Sequence, residues 1–321
     1  MADEVVLMDP ARSRVLLIGS SRFGAASGLH DLRSVAPGVQ ALRRILIDPR
    51  RGGLLPGVCR SLIDPASTAE VGEAFWPCVE EAEHTLLIYY AGHGLPDPHD
   101  GALHLAVRST NPRRVHTSAV PIEWIRRGLL ETAATTTVVI LDCCYAGRVI
   151  RTMSASDIAA EVDVAGSYVM VAAPANRQAV APEGEAFTAF TGALVGVLGE
   201  GVPSGPPKLD LDTVFKRVRT DLVRRSLPAP EVLRSNDAAR LALVRNVAPP
   251  PPPPRSPPPE VPTLPSPTLA AAVAVEPSPD ATEDRSWRWA WGLAIAIVVI
   301  AGSVAIAVLI TPARRARTAG C

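Results

Sequence analysis

The sequence predicts an α/β domain with a mostly parallel β-sheet flanked by helices, followed by a proline-rich linker and a single C-terminal transmembrane helix. Three observations carry this. Within residues 1–247, short and continuously apolar runs alternate with segments of helical periodicity, as in a sheet buried on both faces. Residues 248–286 hold 14 of the chain's 32 prolines. Residues 289–310 (WAWGLAIAIVVIAGSVAIAVLI) carry no charge.

The elements of the domain read as follows. Residues 14–19 (RVLLIG) form a buried strand, and residues 38–47 an amphipathic helix with Val39, Leu42, Ile45 and Leu46 on one face. Residues 67–83 open with a capping box, Ser67 followed by Glu70, and keep Val71, Phe75, Val79 and Ala82 on one stripe, with Pro77 as a candidate kink. A second buried strand covers residues 85–90 (TLLIYY). A short helix at 121–130 leads to a third strand at 135–142 (TTTVVILD), and a fourth covers 167–173 (SYVMVAA). Helices at 187–198 and 212–225 precede a last apolar strand at 241–244.

Composition excludes several classes. Five cysteines in 321 residues do not make a disulfide scaffold, and the thiols of Cys59, Cys78 and Cys321 read as unpaired in a reducing compartment. Thirty-two basic and 32 acidic side chains argue against a nucleic-acid binder. Within residues 1–247 the count is 26 basic to 27 acidic, so neutrality does not arise from oppositely charged parts of the chain. Thirty of the basic residues are arginine; only Lys208 and Lys216 are lysine.

The proline-rich stretch cannot hold a helix or a central strand, because proline lacks the N–H and restricts the residue before it. It reads as a semi-rigid arm. The uncharged segment that follows spans about 33 Å as a helix, against roughly 30 Å of hydrocarbon core. Trp287, Trp289 and Trp291 stand at one end, and Arg314, Arg315 and Arg317, in the tail 311–321, close the other. No apolar run of signal-peptide length precedes Val15. The expectation is a single-pass cell-membrane protein with its domain in the cytoplasm, although the arginine count around the span leans weakly the other way.

In parallel sheets the reactive crevice lies beyond the carboxyl ends of the strands. Beyond TLLIYY comes AGHG, with His93 between Gly92 and Gly94; beyond TTTVVILD come Cys143 and Cys144. If the two strands are neighbours, a thiol and an imidazole share one crevice as nucleophile and base. The backbone N–H groups of Gly94 and Cys144 are then candidate oxyanion donors. The remaining histidines (His30, His84, His99, His104 and His116) lack metal-ligand spacing, and no nucleotide-binding glycine pattern is present, so neither metal nor cofactor is expected.

YYAGHG (residues 89–94) and DCCYAG (residues 142–147), 51 residues apart from His93 to Cys144, resemble the paired motifs of the caspase-like cysteine peptidases, caspases and metacaspases of clan CD. The flanking text is similar to actinobacterial caspase-like proteins, several of which act in conflict or immunity systems. The resemblance covers about residues 12–245. It implies a caspase-like fold and cysteine endopeptidase activity on protein or peptide substrates. Cys144 is implied as nucleophile rather than Cys143, His93 as base and acid, and Gly94 and Cys144 as oxyanion donors. Asp142 matches the metacaspase position that binds a substrate arginine or lysine. Arg22, after the first strand, stands roughly where caspases bind a substrate aspartate, which leaves cleavage after Asp as an alternative. Calcium dependence occurs in some metacaspases. Activation is expected by self-cleavage at Arg148, Arg151 or Arg177, or by a partner protein. A catalytically silent scaffold is the alternative of a different class.

Overall fold

The computed structural model describes residues 4–144, 166–172, 185–234 and 238–249. The expected arm beyond residue 249, the span 289–310, the tail 311–321, the motif residues Tyr145, Ala146 and Gly147, and Arg148, Arg151 and Arg177 all lie outside the described residues.

The strands are β1 (Val6–Leu7), β2 (Arg14–Gly19), β3 (Cys59–Ile63), β4 (Thr85–Ala91), β5 (Gly94–Pro96), β6 (Leu103–Leu105), β7 (Val120–Pro121), β8 (Thr136–Asp142), β9 (Ser167–Val171), β10 (Lys208–Asp210), β11 (Glu231–Arg234) and β12 (Leu241–Arg245). The described helices are α1 (Val35–Ile47), α2 (Thr68–Glu81), α3 (Val115–Ser118), α4 (Ile122–Glu131), α5 (Ala189–Glu200) and α6 (Leu211–Arg224).

A six-stranded sheet, ordered β11-β9-β8-β4-β2-β3, forms the centre. Five of its strands run parallel, and β11 closes one edge antiparallel to β9, so the sheet is mixed. Every residue of β4 is buried. Alternation distributes the apolar run to two cores rather than one. Leu87 and Tyr89 join Val138, Ile140 and Met170 beneath α1, α5 and α6. Leu86, Ile88 and Tyr90 join Val139, Leu141 and Val169 beneath α2 and α4. Continuous hydrophobicity was therefore the correct signature, since both faces of the central strands are covered.

Boundaries differ from the expected ones for identifiable reasons. Helix α1 begins at Val35, before Pro37, because proline in a first turn removes an N–H that has no intrahelical acceptor. Helix α2 continues through Pro77. Ser67 caps Glu70 N–H at 3.4 Å, but the Glu70 carboxylate takes the N–H of Ala66 (2.7 Å) instead of closing the reciprocal box on Ser67. The expected last strand, β12, leaves the central sheet altogether: it pairs with β1 and β10 in a small separate sheet. Edge strand β3 (CRSLI) escapes a periodicity reading because its polar residues face solvent along one edge.

Ile88, fully buried at the centre of β4, tests the two-core packing. Ile88→Ala is expected to cost about 2–5 kcal/mol, read as a lower urea midpoint at unchanged slope.

Candidate active site

Strands β4 and β8 are hydrogen-bonded neighbours in a register that pairs Ala91 with Asp142. Their carboxyl ends therefore stop level, and His93 and Cys144 each follow two residues later. The N–H of Gly92 donates to the Asp142 carbonyl (3.2 Å), tying the two exits together. Gly94 then passes directly over the second exit. A Cβ there would stand 2.3 Å from the Cys144 carbonyl oxygen and 3.0 Å from the Cys143 sulfur, so only glycine fits. The His93 carbonyl accepts from Ala106 N–H (3.0 Å), which makes Gly94 and Leu105 a non-hydrogen-bonded pair of the β5–β6 ladder. The Gly94 N–H is accordingly directed away from β6.

The imidazole of His93 is held from the far side. Its Nε2 lies 2.8 Å from the carbonyl oxygen of His30, and a carbonyl can only accept, so Nε2 carries the proton. Nδ1 is left with the lone pair in the neutral ring. The Phe23 ring lies against the imidazole at 5.0 Å between centroids, tilted by 51°. Below, the Tyr90 hydroxyl donates between the carbonyls of His93 (3.0 Å) and Ala106 (2.9 Å), fixing the backbone that bears the ring.

The two adjacent cysteines are chemically unlike. Cys143 is fully buried beneath Gly94, and burial pushes its thiol well above the ordinary value, with Cys144 and Asp142 adding to the effect. Its thiolate is disfavoured and a substrate has no path to it. Cys144 is only half-buried, so of the two it is the residue with surface left accessible.

Asp142 is 2% exposed. Its Oδ2 accepts from the hydroxyls of Thr188 and Thr191, the latter at 2.6 Å. Thr191 spends its only hydroxyl proton on Asp142, so the Tyr89 hydroxyl, 2.5 Å away, donates to Thr191. The Thr188 hydroxyl also caps α5 by accepting from Thr191 N–H (3.3 Å). A Cβ on Gly38 of α1 would stand 2.8 Å from the Thr191 methyl, so close helix approach seats this network. Among the described residues Asp142 Oδ1 has no hydrogen-bond partner. Asp142 lines a small cavity of about 10 Å³, shared with Ala172, Ala189, Phe190, Leu222, Leu227 and Pro228. Burial raises the Asp142 carboxyl above the ordinary carboxylate range, against the opposing pull of the two threonines. Arg22 is exposed in the loop after β2, its backbone N–H bonded to Asp64 (3.0 Å).

A family model for the caspase domain, peptidase family C14, matches residues 12–240. The chain belongs to the caspase domain family. Among solved structures, the caspase domain is similar to protein GSU0716 from Geobacter sulfurreducens at 14% identity and a TM-score of 0.49, over 71% of this chain and 96% of that one. It is similar to caspase-1 from Spodoptera frugiperda at 12% identity and a TM-score of 0.49, over 75% and 91% respectively. No curated protein matches.

Sequence reasoning brought together His93, Gly94, Asp142, Cys143 and Cys144 in this caspase domain, but it missed their supports. The His30 contact is made by a backbone carbonyl, which leaves no trace in residue type. Thr188 and Thr191 lie 46 and 49 residues beyond Asp142, and only the N-cap pattern at the start of α5 marks the first of them. Among the described residues no three His, Cys, Asp or Glu side chains gather as a metal site.

The raised Asp142 carboxyl gives a stability prediction whose sign is fixed. An acid whose folded pKa lies above its unfolded value contributes stability at low pH that is lost as pH rises through the folded value. Asp142→Asn keeps an acceptor oxygen for both threonines and removes the buried charge. The variant is expected to melt above wild type at neutral pH, with the gap closing on acidification; a gap that widens on acidification contradicts this.

Proposed function

We propose that the chain is a membrane-anchored cysteine endopeptidase in which Cys144 is the nucleophile and His93 the general base and acid. The observation that carries this reading is the junction at the ends of β4 and β8, where Gly94 crosses Cys144 within a chain of the caspase domain family. His93 Nδ1 takes the Cys144 proton, and the thiolate attacks the substrate carbonyl. The N–H groups of Gly94 and Cys144 receive the developing oxyanion. The imidazolium then protonates the leaving amine as the tetrahedral intermediate collapses to a thioester. Water, deprotonated by the same nitrogen, hydrolyses the thioester and frees the thiol. The His30 carbonyl supports this cycle by accepting from Nε2–H in both protonation states, which leaves Nδ1 as the nitrogen that takes up and gives back the proton.

Cleavage after arginine or lysine is the specificity we infer. Asp142 supports it by having one carboxylate oxygen committed to two threonines and the other without a partner among the described residues. A guanidinium or ammonium supplies the missing donors and the opposite charge. The anchor is supported by the 22 uncharged residues 289–310. A regulated effector role in bacterial defence or cell death, released by self-cleavage or a partner protein, completes the proposal.

Arginyl, lysyl and aspartyl fluorogenic peptides test the chemistry directly. Cys144→Ala is expected to lower turnover of the basic peptides by roughly 10³-fold or more, while Cys143→Ala retains it. Turnover restricted to the aspartyl peptide would overturn the specificity and point to Arg22. Equal turnover by wild type and Cys144→Ala would remove the enzyme reading. Truncation after residue 286 is expected to move the protein from the membrane fraction to the soluble one; retention in the membrane fraction would refute the anchor.

A further inference from the structure

The segment between β2 and α1 does more than connect them. It supplies two groups that hold the His93 ring, the His30 carbonyl and the Phe23 side chain. The ring is therefore only as well placed as that segment. Its waist is closed by Leu32 N–H to the Ser21 carbonyl (2.7 Å) and Phe23 N–H to the Asp31 carboxylate (3.0 Å). From outside, the Ser20 N–H donates to the Ala91 carbonyl (2.9 Å) and the Gly24 N–H to the Arg108 carbonyl (3.0 Å), and the base of the loop between them is gripped by the side chain of one residue.

That residue is Asp64, directly after β3. Its Oδ1 accepts from Ser21 N–H (2.6 Å), Arg22 N–H (3.0 Å) and the Ser21 hydroxyl (2.8 Å), with Oδ2 3.0 Å from the same hydroxyl. Its own N–H donates to the Gly19 carbonyl (2.7 Å), at the last residue of β2. Asp64 takes φ 54°, a left-handed conformation that Asp and Asn tolerate better than other side-chain-bearing residues. A three-donor carboxylate in a strained backbone, where Ser21 is 6% exposed, is a specific clamp rather than a solvated turn. The carboxylate touches neither His93 nor any atom assigned to the reaction.

We propose that Asp64 is a positioning residue for His93, acting through the Ser21–Leu32 loop to hold the His30 carbonyl on Nε2. The inference rests on the reading of His93 and Cys144 as a dyad. Without the clamp the loop relaxes, the carbonyl leaves Nε2, and the proton is no longer confined to that nitrogen. Imidazolium placed beside the sulfur lowers the thiol pKa; a displaced ring does so less.

The test uses the full-length protein in detergent and follows alkylation of Cys144 by iodoacetamide against pH, read by mass spectrometry on the peptide containing Cys144. This needs no peptide substrate. Asp64→Ala is expected to raise the alkylation midpoint by about one pH unit or more. Asp64→Asn, which keeps an acceptor oxygen and tolerates positive φ, is expected to stay near wild type. On an arginyl peptide, Asp64→Ala is expected to lower kcat about 10–100-fold with KM little changed. Coincident alkylation midpoints for wild type and Asp64→Ala overturn the proposal. A wild-type midpoint at the ordinary thiol value overturns the dyad itself, whereas a depressed midpoint without peptide turnover overturns the peptidase reading and leaves the role of Asp64 to the alkylation comparison. Should Asp64→Ala fail to fold, Asp31→Ala releases the Phe23 N–H instead. It is expected to shift the midpoint in the same direction by less, and an unshifted midpoint counts equally against the clamp.

Discussion

The parallel pairing of β4 with β8 is the interaction on which the rest of the site depends. Its register sets Ala91 level with Asp142, so two loops that are far apart in sequence leave the sheet at the same height. A one-residue slip would turn every side chain of one strand to the opposite face. Tyr89, which reaches Thr191 on one side, and Tyr90, which supports the His93 backbone on the other, would exchange places. The register is held because both faces are buried, and each face admits only its own set of residues.

Burial around this junction separates groups that the sequence presents as equivalents. Cys143 and Cys144 are adjacent, yet one is sealed beneath Gly94 and has its thiolate disfavoured, while the other is half-buried. Asp142 is a carboxylate at the end of an apolar strand, a position that costs stability unless donors are supplied. Thr188 and Thr191 supply them from the start of α5, and among the described residues one oxygen is left over. Natural folds retain such destabilising groups chiefly where they serve a site.

Charge shows a similar division. The domain is neutral along its sequence, but its two helical layers are not. On one side of the sheet, α1, α5 and α6 carry Arg43, Arg44, Lys216, Arg217, Arg219 and Arg224 against Asp212, Asp221 and Glu200. On the other, α2 and α4 carry Glu70, Glu73, Glu80, Glu81, Glu123 and Glu131 against Arg126 and Arg127. Part of the acidic side is balanced across the edge of β2, where Arg12 meets Glu83 (2.8 Å) and Arg14 meets Glu81 (2.9 Å). Basic and acidic helices come to oppose one another across the sheet because α1, α5 and α6 pack on one face and α2 and α4 on the other.

The sequence by itself determined the fold class, the central strands and the residues at their ends. These follow from local rules: unbroken apolar runs mark strands covered on both faces, and reactive groups follow their carboxyl ends. It also distinguished the globular part from the proline-rich and uncharged segments by composition alone. Only the tertiary structure decided that β12 leaves the central sheet, that β3 and β11 complete it, and that Asp142 is met by two threonines from α5. It alone placed the His30 carbonyl on His93 and Asp64 at the base of that loop. The physical reason is the same in each case. Apolar periodicity records burial, which every residue in a strand shares, whereas a backbone carbonyl or a hydroxyl dozens of residues away finds its partner only through packing.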